Sequence, residues 1–182
     1  MDEGKLYKRV FTPVLIFLLA YEWLVSGFDK LLSGNFVPQL MRQLSSSLSG
    51  MQYHFYENIL KNDIIPHAVV FGVLVEVGEI CVGVAFVLLG VALIRDRINT
   101  AIIQLGIWTS IIAAFMALNF FLWQGGSMFL NLGDPFDEGI TIDFMLVLIQ
   151  LWMAVFFFSI RRRYSLLANR HMRQSERLNP FT

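Results

Sequence analysis

Four stretches of this chain are each apolar enough, over enough residues, to cross a lipid bilayer as helix, and nothing else in the sequence restricts the fold so strongly. A bilayer core about 30 Å thick needs roughly 20 mainly apolar residues in helical form. The stretches near 11–28, 68–94, 101–123 and 140–160 meet that need. In a soluble fold they would have to be covered by polar faces, but only 15% of the residues are charged against 56% hydrophobic, and the mean hydropathy is +0.60. The expected fold class is therefore an all-α integral membrane protein, a four-transmembrane-helix bundle. One domain over 1–164 is expected, with a basic cytoplasmic tail over 165–182 that reads as an orientation signal or as a segment partly helical against anionic lipid.

Charge placement sets the expected orientation. Lys5, Lys8, Arg9, Arg95, Arg97 and the arginines from Arg161 to Arg177 fall on one side of the four spans, leaving Lys30, Arg42 and Lys61 on the other. Positive loop ends are retained in the cytoplasm, so both termini are expected there, in a multi-pass protein of the cell membrane. The 29–67 and 124–139 segments then lie outside, with Glu57, Asp63, Asp134, Asp137 and Glu138. The first span reads as a retained helix rather than a cleaved signal, because Glu22 interrupts it and the following Ser26-Gly27-Phe28-Asp29-Lys30 is a poor cleavage site. The 14 basic and 14 acidic residues balance, which gives no argument for a nucleic-acid partner.

In the outer segment over 35–62, Val37, Leu40, Met41, Leu44 and Leu48 follow the spacing of an amphipathic helix, and Tyr53, Tyr56, Ile59 and Leu60 repeat it after a serine-rich break. Short helices capping the bundle are expected. Pro66 suits the first turn of the second span. The glycines and proline between Gln124 and Pro135 predict a turn-rich connection lying over the bundle.

An ionised side chain at mid-membrane costs about 2.5–3.5 kcal/mol on insertion scales, so such residues mark either a packing contact or a site. Glu22 lies in the first span, Glu76 and Glu79 in the second, Asn119 in the third, and Asp143 and Gln150 in the fourth. Gly72, Glu76, Glu79, Gly83 and Gly90 form one stripe of the second span. Glu22, Ser26, Asp29 and Lys30 share a face of the first, and Asp143, Val147, Gln150 and Ala154 one of the fourth. All the polar groups fall in the same half of the membrane. One outward-opening polar pocket is expected from Glu22, Lys30, Glu76, Glu79, Asn119, Asp143 and Gln150, with Trp23, Trp123 and Trp152 as possible walls. The plainer alternative is that these groups are interhelical staples. Cys81 is a lone cysteine, and His54, His67 and His171 have no ligand spacing, so neither a metal nor a haem site is expected.

The chain resembles the DoxX family of small four-span membrane proteins, which includes the DoxD-type subunit of thiosulfate:quinone oxidoreductase. The resemblance rests on Ser26-Gly27-Phe28-Asp29-Lys30, on Phe55-Tyr56 with Ile65-Pro66-His67, and most of all on Gly78-Glu79-Ile80-Cys81-Val82-Gly83. Leu118-Asn119-Phe120-Phe121-Leu122 and Arg163-Tyr164-Ser165-Leu166 add to it. Ser159-Ile160 and Leu167 depart from the family's usual ending. The resemblance implies a four-helix membrane bundle and a subunit of a quinone-reducing oxidoreductase of the thiosulfate type. Glu79, Glu22 and Lys30 would then be catalytic, and Glu76, Asn119, Asp143, Gln150 and Trp23 would bind the quinone. Apart from surrounding lipid, the partners that fit are an electron-carrying subunit, an extracytoplasmic protein or a second copy of the chain. The competing classes are a non-enzymatic scaffold that recruits a partner and, less favoured, a small-solute transporter, because the inner halves of the spans are nearly uninterrupted apolar residues.

Overall fold

The structure, a computed structural model, describes residues 3–48, 53–125 and 140–178, with side chains over 11–48, 53–125 and 140–166. The described residues are almost entirely helical: α1 (Glu3–Ser33), α2 (Phe36–Ser47), α3 (His54–Ile59), α4 (Ala68–Ile94), α5 (Thr100–Gln124) and α6 (Ile142–Leu178). Four helical segments are long and apolar enough to cross a membrane, over Phe11–Ser33, His54–Ile94, Thr100–Gln124 and Ile142–Leu166. The four-span bundle expected from hydrophobicity is the fold that forms. The expected connection over 126–139, with Asp134, Asp137 and Glu138, lies outside the described residues.

The bundle is built from two close pairs, α1 with α4 and α5 with α6, joined more loosely through α4 and α5. Glycines set the closeness of both. A Cβ on Gly83 would stand 2.6 Å from the Leu24 side chain, and one on Gly106 would stand 2.7 Å from the Phe157 ring. Such contacts replace the hydrophobic drive that lipid removes, since helices in a bilayer associate through tight packing. All four spans supply the core, including Ile16 and Trp23 of α1, Phe86 and Leu89 of α4, Ile107 of α5, and Met153 and Phe157 of α6.

Local signals in the sequence explain the ends. Asn99 caps α5 by accepting from the Ile102 amide at 2.9 Å, and Gly125 ends it in the left-handed conformation, φ 72°. α6 runs through the expected boundary at 164 as far as Leu178. The Tyr164 hydroxyl donates to the Ile98 carbonyl at 3.0 Å, tying this extension to the α4–α5 turn.

The segment over 35–62 differs in part from its expectation. α2 is the amphipathic helix foreseen, burying Leu40 and Leu44 while Met41 stays exposed. The second apolar set is not a separate surface helix. α3 continues through a π-helical turn (Leu60–Ile64) and a 3₁₀ turn (Ile65–His67) into α4. Pro66 has no amide to donate, so the tight 3₁₀ turn before α4 suits it. Leu40, Leu44, Tyr56 and Leu60 form a second small core at this end, against which Leu122 and Trp123 pack.

Candidate functional site

The polar residues converge at the end of the bundle that α2 covers. Helical spacing brings Ser26 and Lys30 to one face of α1, and Gly27 lets that face approach α4: a Cβ there would meet Ile80 Cγ1 at 2.8 Å and Glu79 Cβ at 3.1 Å. At this closest approach Lys30 Nζ donates to both Glu79 carboxyl oxygens at 2.8 Å and to Ser26 Oγ at 2.6 Å. All three ammonium donors are thereby used. Glu79 is completely buried, whereas the Lys30 side chain keeps 19% exposure. The ammonium also lies 5.5 Å from the ring centres of Phe36 and Phe120, where their faces favour a cation.

Two neighbouring spaces flank this pair. The larger is a polar cavity of about 630 Å³ whose lining includes Ser26, Lys30, Gln43, Ser46, Ser47 and Asp143, with Phe36, Phe120 and Trp123 as flat walls. The smaller encloses about 50 Å³, room for about one water, and brings together Glu22, Trp23, Glu79 and Asp143. Ser26, Phe120 and Asp143 line both spaces. α1 and α6 make little direct contact, and this chamber occupies the seam between them. Lys30, Glu79, Glu22, Asp143 and Trp23 therefore form one constellation drawn from α1, α4 and α6.

Three expected members stand elsewhere. Glu76 lines neither space: at 3.6 residues per turn it is rotated roughly 60° from Glu79, and it is half-buried. Asn119 belongs to a different cavity and is already bonded, its Oδ1 accepting from the Tyr56 hydroxyl at 2.7 Å and its Nδ2 donating to the Phe115 carbonyl at 2.7 Å. Gln150 shares the face of Asp143 but lies two turns deeper. It is fully buried and outside both spaces, and neither polar atom of its amide has a hydrogen-bond partner among the described residues. Of the tryptophans offered as walls, Trp23 and Trp123 serve, while Trp152 is 69% exposed on the outward side of α6.

Ser26, Phe36 and Phe120 are site residues that the reading of ionisable groups passed over. Ser26 had a signal, its spacing of four from both Glu22 and Lys30, but the aromatic walls had none. The constellation can hold a flat polar group against aromatic faces, balance charge on it through Lys30 and exchange protons with three carboxyls. No family model, curated protein or solved structure matches this chain.

Proposed function

We propose that this chain is the membrane subunit of a quinone-linked oxidoreductase of the thiosulfate type. Its polar cavity opens at the outer face of the cell membrane, with both termini in the cytoplasm, and receives the quinone headgroup. The observation that carries this reading is the Lys30–Glu79 pair, placed in the membrane half where the polar residues collect, beside a chamber holding two further carboxyls. Buried ion pairs add little to stability compared with an apolar core, so their placement at a cavity favours a working role.

Reduction of a quinone to a quinol takes up two electrons and two protons. Two thiosulfate ions joined through a sulfur–sulfur bond give up two electrons as they form tetrathionate. Glu79, Glu22 and Asp143 would hand protons to the headgroup oxygens, and Lys30 would hold Glu79 in place. Such side chains move protons rather than electrons, so the electron carrier belongs to a partner subunit. The test is thiosulfate-dependent quinone reduction by the chain purified in lipid with its co-purifying partner. Glu79→Gln should keep the fold and lower the rate about 100-fold or more, the range of a lost acid–base group. An unchanged rate would refute the reading.

A second reading has its own observation: the Lys30 ammonium already has three acceptors, as a structural staple would. On that reading the chain is a scaffold that recruits a partner. Glu79→Gln would then weaken assembly, and no quinone turnover would accompany the wild-type protein.

A further inference from the structure

The proposed chemistry leaves a second cavity unused. It encloses about 370 Å³ between α2, the π-helical turn, α4 and α5, within the roughly 300–1,000 Å³ of small-molecule sites. Leu44, Leu60, Val75 and Met116 give it an apolar lining, and its polar residues are Tyr56, Asp63 and Asn119. The Tyr56 hydroxyl and the Asn119 amide are bonded to each other, so they offer little to a polar ligand. Leu40, Phe120 and Trp123 line this cavity and the polar cavity alike. At its rim Phe71, Leu74 and Phe115 are exposed, so it opens onto the apolar surface that these helices present to lipid. π-Helical turns recur at functional sites, and here one supplies Leu60 and Ile64 to the wall.

We infer that this apolar cavity seats the hydrocarbon tail of the molecule whose headgroup occupies the polar cavity, so the site takes a long-chain quinone rather than a water-soluble one. The inference rests on the quinone reading for the head and adds the tail. An amphiphile lying across the shared wall places its polar end by Lys30 and Asp143 and its apolar end by Leu44 and Met116. It reaches that position from the bilayer through the exposed rim without crossing water. A chain moving from lipid into an apolar cavity gains little free energy, because lipid tails are as apolar as leucine. The tail therefore contributes orientation, fixing which way the head faces Glu79, more than affinity.

Photolabelling in phosphatidylcholine vesicles tests this with the full chain. Two quinone probes share a headgroup and a decyl tail, one bearing a diazirine on the head and the other at the tail end. A phospholipid with a diazirine in its acyl chain is the third probe. The tail probe should label the segments holding Leu44, Leu60 and Met116, and Leu44→Trp, or Val75→Phe where the first fails to fold, should abolish that label while the head label in the polar cavity persists. The phospholipid should label outward residues such as Leu148 and Trp152. Tail label on those outward residues overturns the inference, as does phospholipid label in the cavity equal to that of the tail probe, which would make it an ordinary lipid groove. A head probe that fails to label the polar cavity overturns the quinone reading instead, so the two failures are read on separate probes.

Discussion

Replacing Lys30 with methionine leaves the Glu79 carboxyl at 0% exposure with its principal partner gone and room for only about one water in the chamber beside it. Removing one member of a buried ion pair costs about 3–5 kcal/mol, mostly because the remaining charge is stranded. The reciprocal change, Glu79→Gln, is milder for reasons visible in the geometry. The amide oxygen still accepts from Lys30, and the ammonium keeps Ser26, the faces of Phe36 and Phe120, and 19% access to the cavity. That loss should be about 1.5–3 kcal/mol, the value of hydrogen bonds to a charged group. The two changes should couple: Glu79→Gln in the Lys30→Met background removes the stranded charge and should recover part of the deficit. Unfolding of the protein in mixed micelles by increasing SDS, followed by circular dichroism, gives all four corners of the cycle. Equal costs for the two single variants, or strict additivity in the double, would refute the idea that Glu79 depends on Lys30.

Three further outcomes follow from packing and bonding. Gly83→Val should destabilise by about 1–3 kcal/mol through overpacking against Leu24 at 2.6 Å, whereas Gly78→Ala meets only the flexible Met116 side chain at 3.3 Å and should be tolerated in the same unfolding assay. Gln150→Leu should leave the melting temperature unchanged or raise it, because it removes two buried polar atoms that have no partner among the described residues; a clear fall would show that the amide is bonded. Tyr56→Phe should cost about 1 kcal/mol by unmaking the bond to Asn119, and an unchanged unfolding midpoint would show that this link does not hold α3 to α5.

The number of the spans is legible in the sequence because lipid imposes one simple demand, length of apolar helix, that Phe11–Ser33 and Thr100–Gln124 satisfy by composition alone, whereas their limits are not, since the second span reaches back to His54 and the fourth on to Leu166. The Glu79–Gly83–Gly90 face is legible as well, since spacings of four and seven return to one side of a helix, and those residues are buried in the structure. Depth along an isolated helix is readable only in part: Glu22 and Glu79, expected at comparable depth, line one chamber, but Asp143, expected nearer the surface, lines it with them. Azimuth between helices is not readable. Asn119 is expected in the same pocket, but its side of α5 faces Tyr56 rather than Glu79. A rotation of less than a turn separates Glu76 from the site, and no local pattern records how α4 is turned against α1. The apolar cavity was invisible for a related reason: it depends on α3 running into α4 through a π-helical turn, a backbone choice made by packing across the bundle end and not by local propensity.

The account depends on the Glu79 carboxyl meeting the Lys30 ammonium between α1 and α4. Solid-state NMR on the protein in bilayers, with lysine Nζ carrying ¹⁵N and glutamate Cδ carrying ¹³C, reads that contact directly. A strong dipolar coupling at hydrogen-bond range, absent from the Glu79→Gln variant, is the expected result. No short-range coupling, or one that survives Glu79→Gln unchanged, would contradict it.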